Sequence, residues 1–388
     1  MLQGLWRQMT IIIIWALRSQ TETFEMPMNS QPTIPPGIVS AEDYETAALE
    51  RLPADIAAWL AGGSAGEWTL RANRRAFGRV GLRNALCRVP RTVDTRVELL
   101  GETMQHPLLL APVASHGLIH PLAELATAQG AQAADTPLVL SCQANTALEQ
   151  VAPHLSHGWL QLYWQQTPER TLRLIRRAEE AGYCALVLTL DAPVQSPGRQ
   201  AQRLRFELPS HLGLPNLEPA LRREAVPGQS ALERLLKDAA TLDSLAFILH
   251  NTHLPVLVKG VLEVADAVEL LGYGVDGLIV SNHGGRALDG VSATLDALPL
   301  IRQAVGAQAT LLMDGGIRSG YDVFKALALG ADAVLIGRLQ LYALAVAGPL
   351  GVAHMLKMLQ EELQLCMALS GCADIAAIDP SRLRVGQI

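Results

Sequence analysis

The chain has 388 residues, 49% of them hydrophobic and 18% charged, with a formal net charge of −6. That balance suits a well-buried globular core and excludes a largely disordered chain; 32 Gly and 22 Pro without a three-residue period exclude a collagen-like one. No basic surplus marks a nucleic-acid binder, and five scattered cysteines without CxxC spacing point to no metal site and to a reducing, cytoplasmic compartment.

Residues 1–38 read as a tail, disordered or started too early. An apolar run, Ile11–Leu17, lies between Arg7 and Arg18. It is shorter than the roughly 20 apolar residues of a membrane span, and no A-x-A cleavage site follows it. A dispensable tail, a peripheral membrane anchor, and a true start at Met26 or Met28 all remain open. Gln31–Gly37 is Pro-rich and reads as linker. Ser40 with Asp43 is a helix N-terminal signal, and Pro53 opens a second helix that ends at Gly62–Gly63.

From about residue 106, short apolar runs alternate with helical patterns. The runs are Leu108–Ala111, Leu138–Ser141, Leu160–Trp164, Ala185–Leu190, Val256–Lys259, Gly277–Val280, Thr310–Met313 and Ala333–Ile336. Continuous rather than alternating apolar runs suit strands buried on both faces of a parallel sheet. Eight β/α units in about 250 residues predict an α/β fold, a TIM (β/α)8 barrel with an N-terminal helical extension. It forms one domain over 39–380. No G-x-G-x-x-G follows an early strand, which disfavours a dinucleotide-binding sheet. Phe206–Thr241, with Arg222–Arg223, is too long for an ordinary connection and is predicted to lie at the mouth of the barrel after strand 4.

Active sites of this fold sit where the strands end. The sixth run ends Ser281-Asn282-His283-Gly284-Gly285-Arg286: a histidine able to act as a base, glycines that let backbone approach a ligand, and an arginine that forks onto a carboxylate or phosphate. The fourth ends at Asp191, either a helix cap or the carboxylate that orients that histidine. Lys259 closes the fifth, where the plainer alternative is a salt bridge to Asp191 or Asp314. Gln161 and Tyr163 of the third share one face. Asp314-Gly315-Gly316-Ile317-Arg318 and Gly337-Arg338 form the glycine-rich turns that usually cradle phosphate in this fold. A ligand with a phosphate and a polar ring system follows; flavin mononucleotide and a sugar phosphate both fit.

Ser281–Gly290 (SNHGGRALDG), Asp314–Gly337 (DGGIRSGYDVFKALALGADAVLIG) and Met367–Cys372 (MALSGC) resemble the FMN-dependent L-2-hydroxy acid oxidase/dehydrogenase family, which includes glycolate oxidase, lactate oxidase and mandelate dehydrogenase. The resemblance covers about residues 40–380. It implies FMN held by Ala114, Ser141, Gln161, Thr189, Lys259, Ser281, Asp314, Gly315, Gly316, Arg318, Gly337 and Arg338. Lys259 would stand near the flavin N1/O2 edge. It implies oxidation of a small 2-hydroxy acid to the 2-oxo acid, with His283 as base, Asp191 as its partner and flavin N5 receiving the electrons. Arg286 and Tyr163 would bind substrate. Oxygen or a quinone or other carrier would take the electrons, and a homo-oligomer is expected. Two positions depart from the family pattern. Trp59 stands where a substrate-binding tyrosine is common, and Gly198 where a second arginine clamp is usual, so Arg199 becomes the candidate clamp. The alternatives are a different phosphate-binding barrel, such as an isomerase, or a degenerate flavin binder without activity.

Overall fold

The computed structural model describes residues 33–194, 198–219 and 230–385. The Ile11–Leu17 run, Met26, Met28 and Arg222–Arg223 lie outside those residues. Three helices precede the barrel: α1 (Ala41–Arg51), α2 (Ala54–Ala61) and α3 (Trp68–Gly78). At α1 the Ser40 hydroxyl accepts from the Asp43 amide while the Asp43 carboxylate accepts from the Ser40 amide, the reciprocal cap that the sequence signals. Pro53 and Gly62 flank α2 as expected. α3 carries no comparable signal. Its N-cap is Glu67 in left-handed backbone, φ 60°, with no side-chain cap.

Eight parallel strands then close into a barrel: β1 (Leu108–Leu110), β2 (Leu138–Ser141), β3 (Gly158–Leu162), β4 (Ala185–Thr189), β5 (Val256–Val261), β6 (Gly277–Val280), β7 (Thr310–Met313) and β8 (Ala333–Ile336). They neighbour one another in chain order, and β8 pairs with β1. These are the eight apolar runs with shifted ends: the third spans Gly158–Leu162 rather than Leu160–Trp164, which leaves Tyr163 just past the strand, the fifth continues to Val261, and the first and fourth end one residue early. Alternate residues serve two cores. Leu109, Val139, Val187, Leu257, Ile279, Leu312 and Leu335 fill the lumen, where Leu99 and Met104 of a preceding hairpin join them. Leu108, Leu110, Leu138, Leu140, Leu186 and Leu188 face the helices. Both faces are dry, which is why the runs show no polar alternation.

The outer layer comprises α4 (Ala123–Ala133), α5 (Pro168–Glu180), α6 (Leu242–His250), α7 (Val264–Gly272), α8 (Thr294–Val305), α9 (Gly320–Ala328) and α10 (Arg338–Ser370). α10 is two helices joined at Ala347–Gly348, where Pro349 follows. The domain exceeds 39–380 at both ends. Ile34 and Ile38 pack against the core, so the last residues of the expected tail are docked. Leu383–Val385 pairs antiparallel with Val80–Leu82, bringing residues 383–385 back beside the end of α3.

Gly320 opens α9 against α10. A Cβ there would fall onto the Leu363 amide nitrogen and lie 2.5 Å from the Leu359 carbonyl oxygen, both backbone atoms that cannot rotate away. Gly320→Ala is expected to cost about 1–3 kcal/mol of stability, read in urea unfolding as a lower midpoint with an unchanged slope.

Candidate active site

Strand register brings the polar residues to one level. Ser141 of β2 pairs with Gln161 of β3, and Thr189 of β4 pairs with Lys259 of β5. All four line one cleft at the strands' C-terminal end, with Trp59, Ala114, Tyr163, His283, Arg286, Asp314, Gly315, Gly316, Arg318, Gly337 and Arg338. Asp191 and Ser281 stand directly behind that lining rather than in it.

His283 Nδ1 lies 3.0 Å from Asp191 Oδ1. An ionised carboxylate there accepts from Nδ1–H, so the neutral imidazole keeps its lone pair on Nε2. Burial works to raise the Asp191 carboxyl, but the Lys259 ammonium and the His283 bond overcome it and hold the group below its ordinary value. Gly260 makes this approach possible. It sits at an irregularity in β5 with φ 109°, and a Cβ there would lie 2.5 Å from the Asp191 Cβ. Glycine is the residue that meets both demands.

Lys259 is 3% exposed. It donates to Ser281 Oγ at 2.8 Å and lies 3.2 Å from Asp314 Oδ2, while Ser281 Oγ donates to Asp314 Oδ1 at 2.7 Å. Burial favours a neutral amine; Asp314 and Asp191 outweigh it and raise the lysine above its ordinary value. The salt bridge and the cleft position therefore coexist. Gln161 accepts from Ser141 Oγ through Oε1, and its Nε2 is buried without a partner, as is Thr189 Oγ1. Orphaned buried polar atoms are costly. Here they face the cleft beside Lys259, a set that matches the polar edge of a flavin ring. The glycines at 315 and 316 have φ 101° and 88°, and Arg318 is braced by Glu45 of α1 at 2.7 Å. The residues present fit FMN.

The two other arginines are held by the extension. Arg286 donates to the carbonyls of Trp59 at 2.6 Å and Gly62 at 3.2 Å, and its guanidinium carbon stands 5.2 Å from the centre of the Trp59 ring. Burial first, then the charge of Arg338, lowers its pKa to about 10, which leaves it charged at neutral pH. Arg338 lines the cleft, but its guanidinium donates to the carbonyls of Leu60, Gly62 and Gly284. From its place in the lining it braces the α2 turn and the turn that carries His283. Burial pushes the Tyr163 phenol well above its ordinary value, so it remains a neutral donor. Trp59 stacks on Phe206, with centroids 5.5 Å apart, which puts the start of the long loop at the barrel mouth as predicted.

Arg199 is not brought to the cleft. It is exposed on a short helix, Arg199–Arg203, with Nη1 near Gly66. Gly198 is close to the extension, and a Cβ there would lie 3.2 Å from the Gly63 carbonyl oxygen. Sequence reasoning missed Glu45, Asn73 and Gly260. The first two sit in helices whose pattern shows only amphipathic packing, and their partners are more than two hundred residues away.

Comparison with known proteins agrees with this geometry. Residues 48–385 match the family described as FMN-dependent dehydrogenase. A protein named L-lactate oxidase from Alicycliphilus denitrificans is 49% identical over 90% of this chain and 98% of its own length. The 4-hydroxymandelate oxidase of Amycolatopsis orientalis is 39% identical over 90% and 99%. A crystal structure of mandelate oxidase with (S)-2-phenylpropionate superposes with a TM-score of 0.82 at 39% identity, over 90% of this chain and 99% of that one.

Held below its ordinary range, the Asp191 carboxyl contributes stability above the unfolded carboxylate range near about pH 4. It loses that contribution as pH falls through the folded value. Asp191→Asn should therefore be less acid-sensitive: the parent's lead in melting temperature is expected to shrink between about pH 6 and about pH 3.

Proposed function

Because the chain belongs to the FMN-dependent dehydrogenase family and oxidises an L-2-hydroxy acid to its 2-oxo acid with FMN, we propose L-lactate as its substrate and molecular oxygen as its electron acceptor. The observation that carries the catalytic reading is the His283 Nδ1–Asp191 bond, which leaves Nε2 to act as base in the cleft that Arg286 and Tyr163 also line. The first three relatives, at 42–49% identity, are named L-lactate oxidase, which supports lactate and oxygen. Relatives named as lactate, hydroxymandelate and glycolate oxidases give the isomerase reading no support.

FMN, when bound, supplies the two-electron acceptor for the substrate's Cα. Ser141, Gln161, Thr189 and Lys259 would hold its ring system, and the 314–318 turn with Arg318 its phosphate. Arg286 pairs with the substrate carboxylate, and Tyr163 donates a hydrogen bond to it or to the hydroxyl. His283 Nε2 takes the hydroxyl proton. The imidazolium so formed keeps its Nδ1–H on Asp191, whose charge stabilises it. The Trp59 ring, packed between Phe206 and Arg286, has no hydroxyl to offer the carboxylate. It fixes the arginine instead.

The purified protein should be yellow and bleach anaerobically with L-lactate faster than with glycolate or L-mandelate. Admitting air should restore the colour with release of hydrogen peroxide. Slow recovery in air with fast recovery on adding a quinone would overturn the oxygen assignment. His283→Ala is expected to keep FMN and bleach about 10²–10⁴ times more slowly. A variant that bleached at the parent rate would remove His283 from the mechanism.

Carboxylate binding separates the two candidate clamps. Arg286→Ala removes a charged hydrogen bond worth about 1.5–3 kcal/mol, so KM for L-lactate should rise about ten- to hundredfold. Arg199→Ala, outside the cleft, should leave KM within about twofold. A comparable rise in both would mean that Arg199 swings inward during turnover.

A further inference from the structure

We propose that Asn73 of α3 is a positioning residue for the base, acting through Asn282 on the turn that carries His283. The proposal rests on the reading of His283 as that base. The turn is conformationally demanding: His283, Gly284 and Gly285 have φ 58°, 62° and 77° in succession. Glycine adopts such values freely, whereas a histidine there is strained and needs its surroundings to hold it.

Asn282 does the holding from inside the turn. Its Oδ1 accepts from the Gly285 amide at 3.1 Å, and it is 1% exposed. Those contacts require its amide to face one way, since a flip would turn NH2 towards the Gly285 N–H. Asn73, 2% exposed, sets that orientation. Its Nδ2 donates to Asn282 Oδ1 and its Oδ1 accepts from Asn282 Nδ2, both at 2.8 Å. The pair could still flip together, but backbone groups on either side forbid it. Asn73 Oδ1 also accepts from the Thr294 amide at 3.3 Å, and Asn282 Nδ2 also donates to the Ser292 carbonyl at 3.1 Å. Each of the four amide atoms of the pair thus has a partner in the other side chain, and three of them are also bonded to the main chain.

The same residue touches the second loop of the site. A Cβ on Gly316 would lie 2.9 Å from the Asn73 carbonyl oxygen, and one on Gly315 would lie 3.3 Å from Asn73 Nδ2. One turn earlier on α3, Leu70 lies under Gly285, where a Cβ would meet the Leu70 nitrogen at 2.6 Å. One face of α3 therefore packs against both the base turn and the glycine cradle: Asn73 bonds to the first, and its neighbour Arg74 donates through Nη1 to the Gly316 carbonyl of the second. A placement error of about 1 Å in a catalytic group costs on the order of a hundredfold in rate.

The test uses full-length, FMN-loaded Asn73→Ala and Asn73→Asp. The aspartate keeps the shape and the acceptor but loses the donor to Asn282. Anaerobic bleaching at saturating L-lactate is expected to slow about a hundredfold, while the half-saturating lactate concentration moves less than about threefold. Asn73→Ala combined with Asn282→Ala should bleach no more slowly than Asn282→Ala alone, because the two residues act in one chain. The visible circular dichroism of the bound flavin should differ between parent and both variants at full FMN occupancy. Bleaching within about threefold of the parent, or slowing abolished by excess FMN, would overturn the proposal. So would failure of both variants to fold, which would make Asn73 a folding residue. If the parent is bleached by no 2-hydroxy acid, the functional reading fails. The dichroism then decides Asn73 by itself, and an unchanged spectrum overturns it.

Discussion

A single ammonium group between two buried carboxylates organises the mouth of this barrel. Lys259 bonds to Ser281 and Asp314 and stands near enough to Asp191 to lower that carboxyl's pKa. Burying an unpaired ion costs several kcal/mol, so none of the three groups is stable there without the others. The Asp191 carboxylate is in turn the acceptor that faces His283 Nδ1. Gly260, with its positive φ and its contact with Asp191, is the backbone condition for the arrangement.

The barrel does not complete the site by itself. The loops after β6, β7 and β8 are braced by the helical extension. α1 supplies Glu45 to Arg318, the α2 turn offers its carbonyls to Arg286 and Arg338, and α3 supports the base turn and the glycine cradle. Carbonyls that end a helix need donors, and two buried guanidinium groups need acceptors. Joining them at Gly62 satisfies both. The last strand then returns to pair with Val80–Leu82, which ties the extension to the far end of the chain.

An indole stands at the contact between the extension and Arg286. With Gly198 at the usual place of a second arginine and Arg199 facing solvent, Arg286 is the cation left to the carboxylate among the described substrate-binding candidates. Trp59 touches both the Arg286 guanidinium and the Phe206 ring, so the first part of the long loop and that arginine share one aromatic contact.

The sequence by itself determined the eight strands, the caps of α1 and α2, and the chemistry at each strand end. These are local properties: an apolar run, a capping residue, or a polar residue just past a buried strand is readable within a few positions. Strand register then carries Ser141, Gln161, Thr189 and Lys259 to one level without further instruction. Three matters were settled only in the folded chain. Arg338 met the carbonyls of the α2 turn from within the cleft lining, Arg199 fell outside the cleft, and Asn73 met Asn282 across 209 positions. Each depends on which groups come together once α1–α3 dock on the barrel. That is a property of three-dimensional proximity, and no spacing along the chain encodes it.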